Sequence, residues 1–281
     1  MAAPGEFETE THPGLGRRMA VAAGIALGLL VAGLIASAYA RAAEPLSIAV
    51  TPGPLSDIVG HAATLSEQQG QPVKVVVFSD WVTPNVAVNE GSVEANFYEH
   101  KPFLAVAIKQ RGFNLVAIAP GVVTPIGLFS HKVTSIAAVP DGGRAAVAND
   151  PVNRARGLQL FAKAGLITLK PGVGDAATVH DIIANPKHLR FIELPAPQLV
   201  RALDDVDIAQ VSYTFLIASH GDPKTALITD GAGNDHYALQ FVTRPQDAQD
   251  PKLLAFIKVF QSDEERAYIA RKYGDAFLPA W

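Results

Sequence analysis

Short apolar runs alternate with helical patterns from Leu46 onward, and the alternation starts afresh once. That rhythm constrains the fold more than any other feature. Leu46 to Val50 reads as a strand that Thr51-Pro52-Gly53-Pro54 breaks. The next pattern places Leu55, Ile58, Val59, Ala62 and Leu65 on one helix face and stops at Gly70. The β-branched run Val73 to Phe78 reads as a buried strand, Ser79-Asp80 as caps for a short helix through Val88, and Val93 to Tyr98 as the next strand. Pro102 suits the first position of a helix ending at Gly112, and Leu115 to Ala119 is a further strand. Strand, helix, strand, with mostly continuous apolar strands, predicts a parallel sheet covered on both faces.

The pattern restarts after Asp141-Gly142-Gly143. Ala145 to Ala148 is a strand, Asn149-Asp150-Pro151 opens a helix, and Leu189 to Leu194, Gln198 to Leu203 and Ile208 to Val211 read as strand, helix and strand. An extended run, Tyr237 to Val242, follows. Two helices close the chain. The first has Asp250 as N-cap, Pro251 at N1 and Leu253, Leu254, Ile257 and Phe260 inward; the second opens on a capping box, Ser262-x-x-Glu265, and stops at Gly274. The expectation is an α/β chain of two strand–helix sets with a cleft between two lobes.

Residues 1–43 read as an address. Arg17 and Arg18 precede the apolar run Met19 to Ala36, and Ala38-Tyr39-Ala40-Arg41-Ala42-Ala43 supplies small residues for cleavage between Ala40 and Glu44. The alternative is a retained N-terminal anchor, because the run is about as long as the ~18 residues at which a span becomes feasible. Either way the body is expected to be periplasmic or otherwise extracytoplasmic. Losing Arg17, Arg18, Arg41 and Glu6, Glu8, Glu10 together leaves the net charge at -4. That mild acidity lacks the basic footprint of a nucleic-acid binder. With 49% hydrophobic and 18% charged residues, general disorder is excluded. The chain has no cysteine, which removes disulfides, thiolate metal sites, catalytic thiols and a lipidated cysteine.

No G-x-S-x-G, H-E-x-x-H, P-loop or EF-hand pattern is present. The eight histidines are scattered, and no two stand at i, i+4. No enzyme, cofactor or metal is expected from the motifs.

Several separated blocks resemble one family. They are Phe78-Ser79-Asp80-Trp81-Val82-Thr83-Pro84-Asn85, Glu94-Ala95-Asn96-Phe97-Tyr98-Glu99-His100-Lys101-Pro102-Phe103-Leu104, Asn149-Asp150-Pro151-Val152-Asn153-Arg154-Ala155-Arg156, the stretch Gln198 to Asp207, and the tail Leu278-Pro279-Ala280-Trp281. In this order they resemble the NlpA/MetQ family, the substrate-binding components of methionine-type ABC importers. The resemblance implies a two-lobed periplasmic-binding-protein-like fold (type II). Lobe 1 would be residues 44–123 plus 235–281, and lobe 2, residues 124–234, would be inserted between them. The crossings would lie near Thr124–Gly127 and Gly231–His236, and hinge closure on a ligand is the implied motion. A small amino-acid-like ligand, methionine or a relative, would be delivered to a membrane permease and its ATPase.

The same resemblance implies the site. Arg156 matches the position that holds the ligand carboxylate, a task that suits the fork of a guanidinium. Asn153 shares its helix face, and Asn149 sits at the turn before. Arg154 is expected to be a solvated helix arginine. Trp81, Tyr98 and His100 match the aromatic and imidazole wall; Tyr98 and His100, two apart, point to one side of an extended strand. Aromatic faces suit a thioether or aliphatic side chain. Thr214 stands where the family's methionine binders carry a ligand-contacting Asn, Tyr213 adds bulk in place of a glycine, and Thr124 replaces an aromatic before the crossing proline. Two alternatives stay open at this point. One is a metal-ion receptor using His61, His100, His180, His236 and carboxylates. The other is an enzyme on the same scaffold, with His100 as base and Arg156 as anion clamp.

Overall fold

The structure, a computed structural model, describes residues 45–231, 233 and 235–281. The expected leader, residues 1–43, lies outside the described residues, as do Ala232 and Asn234 of the second expected crossing.

The described strands are, in chain order, β1 (Leu46–Val50), β2 (Val73–Val77), β3 (Ala95–His100), β4 (Val116–Pro120), β5 (Val122–Val123), β6 (Ile126–Phe129), β7 (Arg144–Ala148), β8 (Thr168–Leu169), β9 (Ile182–Ala184), β10 (Arg190–Leu194), β11 (Ile208–Ser212), β12 (Ile228–Thr229), β13 (Leu239–Thr243) and β14 (Leu278–Pro279). Two five-stranded sheets run β2-β1-β3-β13-β4 and β10-β7-β11-β6-β12. The chain passes from the first to the second between β4 and β6 and returns between β12 and β13.

Neither sheet is purely parallel, contrary to expectation. In the first, β1 pairs in parallel with β2 and β3, but β13 lies antiparallel between β3 and β4. In the second, β7 is parallel to β10 and β11, whereas β6 is antiparallel to β11 and β12. Parallel neighbours need a crossover, usually a helix. β6 and β13 each arrive from the other sheet without one, so they run the other way. β2 also departs from the buried strand that its composition predicts. It lies at an edge, and Val77 is 52% exposed.

Helices α1 (Pro54–Gln68), α2 (Thr83–Glu90), α3 (Lys101–Arg111), α4 (Pro151–Lys163), α5 (Leu199–Ala202), α6 (Tyr213–Ala218), α7 (Pro251–Phe260) and α8 (Asp263–Tyr273) cover the sheets. Phe97, Phe241, Phe256 and Phe260 are fully buried at the centre of one core, with Phe97 4.6 Å from Phe241 and 5.0 Å from Phe260 between ring centroids. A second core gathers around Phe161, Leu158, Leu128 and Ile208. In α7 the inward set is Leu253, Phe256, Ile257 and Phe260, while Leu254 faces out at 41% exposure. The i, i+3, i+4, i+7 spacing explains the choice.

Asp250 caps α7, accepting from the amides of Lys252 at 2.8 Å and Leu253 at 3.3 Å. Asp250→Ala is expected to cost about 1 kcal/mol; a urea midpoint unchanged from wild type would refute the cap. The capping box of α8 is only half made. Ser262 Oγ accepts from the Glu265 amide at 3.2 Å, but the Glu265 carboxylate meets His61 Nδ1 at 2.6 Å instead of turning back.

One irregularity prepares the site. Gln240 and Phe241 are consecutive in β13, yet they face Glu99 and Phe97 in β3, so Tyr98 is an extra residue. Such a bulge reverses the in–out phase beyond it. Asn96 and Glu99 therefore reach the same partner, Asn85.

Candidate functional site

A small cavity of about 30 Å³ is lined from both sheets. From the first come Thr51, Leu55, Trp81, Tyr98, Glu99, His100, Phe103 and Leu239; from the second and its connections come Thr124, Ile126, Asn153, Arg156, Ser212 and Thr214. Thr51 is placed by the turn after β1. There Gly53 takes φ 88 and lies so close to α6 that a Cβ would sit 2.6 Å from that of Ala218.

Arg156 points inward from α4 and is 5% exposed. The helix starts where Asp150 accepts the Asn153 amide at 2.9 Å. Nε of Arg156 donates to Asp230 Oδ2 at 2.7 Å and Nη2 to the Thr124 carbonyl at 3.1 Å. The guanidinium carbon stands 4.1 Å from the centre of the Tyr237 ring. Asp230 Oδ1 also accepts from the Ile126 amide at 3.0 Å. One guanidinium is thus tied to both segments that cross between the sheets, and Nη1 has no hydrogen bond among the described residues. Arg154, by contrast, faces away and pairs with Glu193 at 2.9 Å.

His100 is the N-cap of α3 as well as a wall residue. Its Nδ1 accepts from the Phe103 amide at 3.2 Å. A nitrogen that accepts an amide carries no proton, so the ring is neutral and Nε2 bears the hydrogen, which it directs to Asn153 Oδ1 at 3.4 Å. Burial first, and the nearby Arg156 charge second, push the imidazole down to about 3.

Trp81 packs against Phe215 at 5.1 Å and Phe103 at 5.9 Å, and Tyr98 stands 6.1 Å from Phe103. Tyr98 Oη donates to the Trp81 carbonyl at 2.9 Å, so only its ring faces the cavity as an apolar surface. Among the described residues no group of three or more His, Asp or Glu side chains is gathered to hold a metal ion.

The sequence profile of the NlpA lipoprotein family matches residues 46–281. The chain belongs to the NlpA lipoprotein family. It is 37% identical over 218 residues to the D-methionine-binding lipoprotein MetQ of Escherichia coli K12, covering 76% of this chain and 80% of that one. Among solved structures, an ABC transporter periplasmic substrate-binding protein from Coxiella burnetii superposes with a TM-score of 0.80 at 36% identity, covering 84% of this chain and 100% of the other. A nutrient-binding protein from Burkholderia cenocepacia, solved bound to methionine, gives 0.79 at 34% identity, with 84% and 100% covered. The fold of this NlpA-family protein is that of the periplasmic substrate-binding proteins.

Six of the seven expected positions, Trp81, Tyr98, His100, Asn153, Arg156 and Thr214, line the one cavity; Asn149 does not. Asn149 is exposed and borders a neighbouring concavity with Pro151 and Val82. It precedes the Asp150 cap, and its amide donates to the Leu194 carbonyl at 2.9 Å, which holds it at the sheet's end. Tyr213 adds no bulk to the cavity wall. Its ring lies 6.0 Å from that of Phe129, and its hydroxyl turns to the Pro223 carbonyl at 3.4 Å. Sequence reasoning missed Glu99, Phe103, Phe215, Asp230 and Tyr237. Glu99 and Phe103 flank His100, and only the bulge and the cap show that three neighbours in sequence meet one space.

Proposed function

We propose that this protein is the substrate-binding component of an ABC importer and takes a free amino acid, methionine of either hand or a close relative, into the cavity around Arg156. On this reading residues 44–123 plus 235–281 are one lobe and 124–234 the other, hinged at the two crossings, and the loaded protein docks on a membrane permease served by an ATPase. The observation that carries it is the placement of Arg156. A buried guanidinium with a spare Nη1 faces a space walled by Trp81, Tyr98 and Phe103, with His100 and Asn153 beside it. Carboxylate at the cation and an aliphatic or thioether chain on the rings is the complementary guest. The relatives' names and the methionine-bound neighbour support the same guest.

We infer a binder and not a catalyst. The Nδ1 lone pair of His100 is occupied by a helix amide and its Nε2 holds a proton, so the ring offers no free base. Its site is extracytoplasmic, a reading that the periplasmic substrate-binding neighbour from Coxiella burnetii supports.

Thermal shift against D- and L-methionine, other free amino acids, dipeptides and divalent metals tests the reading. At a hundred times Kd the true ligand adds about 2.7 kcal/mol of stability. A shift with methionine that a chelator leaves intact is expected. A shift seen only with metal, and abolished by chelator, would sink the amino-acid reading.

A further inference from the structure

Three polar atoms on the cavity wall have no hydrogen-bond partner: Glu99 Oε1, Thr51 Oγ1 and Thr124 Oγ1. Their residues are 2%, 0% and 5% exposed. Buried polar atoms are almost always bonded, and with Asn96 Oδ1 of the same network also unpartnered, this wall holds more polar atoms than the described residues satisfy. The carboxylate is the informative one. Glu99 Oε2 accepts from Asn85 Nδ2 at 3.1 Å, and Asn85 Oδ1 is itself occupied by Asn96 Nδ2 at 2.8 Å. No Lys, Arg or His forms an ion pair with Glu99 among the described residues. The side-chain amides of Asn85 and Asn96 are its polar neighbours, Oε1 has no hydrogen bond among the described residues, and what the ionised group lacks there is a cationic donor. Burial raises its proton affinity, to about 8, as expected of a carboxyl without a counter-charge.

Two unequal groups line the cavity. Arg156 offers Nη1 to an anion, and Glu99 offers an oxygen to a cation. Asp230 already balances the guanidinium, whereas Glu99 has no partner charge.

We propose that Glu99 is the specificity-determining residue that receives the ammonium of the guest, with the hydroxyls of Thr51 and Thr124 as further acceptors, so that the cavity selects zwitterionic amino acids over otherwise similar acids without an amine. This deepens the amino-acid reading above and rests on it. When the ammonium settles on a protonated Glu99, the carboxyl proton leaves to solvent and an ammonium–carboxylate pair remains. Tyr98, His100 and Arg156 are the other ionisable groups on this wall. His100 stays neutral because the Phe103 amide occupies Nδ1.

The test compares methionine with 2-hydroxy-4-(methylthio)butanoate, which has a hydroxyl in place of the amine, by calorimetric titration of wild-type protein and Glu99→Gln at pH 7. Wild type is expected to prefer methionine, and the preference is expected to fall about 10- to 100-fold in Glu99→Gln, the worth of one charge-assisted hydrogen bond. Repeating the titration in buffers of different ionisation enthalpy reads the proton. Wild type is expected to release about one per methionine bound and Glu99→Gln almost none. Glutamine keeps the shape and the Asn85 contact, so folding is retained; thermal melts check it. A preference and a proton count unchanged by Glu99→Gln overturn this proposal alone. Failure of the wild type to bind any amino acid overturns the underlying reading, and this proposal with it.

Discussion

Arg156→Ala is expected to weaken ligand binding and the fold at the same time. The two losses have different causes. Binding falls because the guest carboxylate loses the buried cation on the cavity wall. Truncating one partner of a desolvated charged contact costs roughly 2–5 kcal/mol, or about 30- to several-thousand-fold in Kd. Stability falls because Asp230 is left without its partner. The pair is 2.7 Å apart, with side chains 5% and 15% exposed, and removing one member of such a pair costs about 3 kcal/mol. Arg156→Lys separates the causes. A lysine keeps the charge beside Asp230 but cannot serve Asp230, the Thr124 carbonyl and a guest in three directions from one planar group. It is expected to recover most of the stability and little of the affinity. Calorimetric titration with methionine and urea unfolding read the two quantities. A Kd for Arg156→Ala within threefold of wild type would remove the guanidinium from the site.

The tie between Arg156 and both crossings also shows what a sequence can and cannot carry. The strands and helices were legible because each is a local pattern: a β-branched run, a proline after a cap, apolar residues at i, i+3, i+4. Arg156 and Trp81 were legible because they sit in separated blocks that resemble a family. Asp230 was not. It stands 74 residues from Arg156 in a segment with no period, and only the second crossing brings it back. Glu99 was hidden by the bulge. Strict alternation puts it on the opposite face from Tyr98 and His100, whereas the extra residue at Tyr98 brings all three to one cavity. The antiparallel strands escaped for a related reason. Apolar composition reports burial, and strand direction depends on the route by which the chain arrives.

The largest pH effect is expected from two neighbours, Glu99 and His100, acting with opposite signs. His100 is held down to about 3 by burial and by Arg156, against an ordinary 6.5. As acid is added below pH 6.5, the unfolded chain binds a proton at this imidazole that the folded protein refuses, so stability falls until about pH 3. Glu99 is held up to about 8 by burial, against an ordinary 4.5. Its contribution is fully present below pH 4.5. Between pH 4.5 and 8 the unfolded chain has lost the proton that the folded protein keeps, so stability falls as pH rises. Each group alone gives a slope of about 1.4 kcal/mol per pH unit within its window. Between pH 4.5 and 6.5 the two cancel; above 6.5 only the Glu99 loss remains, and below 4.5 only the His100 loss. Other carboxyls tilt the whole curve, notably Glu265, held up to about 7 by burial. Differences between variants isolate each group. Glu99→Gln is expected to remove the negative slope between pH 4.5 and 8. His100→Asn, which keeps a side chain able to cap α3 at the Phe103 amide, is expected to remove the positive slope between pH 3 and 6.5. Urea unfolding of the ligand-free proteins across pH 3–8 measures both. Wild type and Glu99→Gln with parallel curves above pH 6.5 would mean that position 99 is ionised in the empty cavity, with a cationic partner already in place.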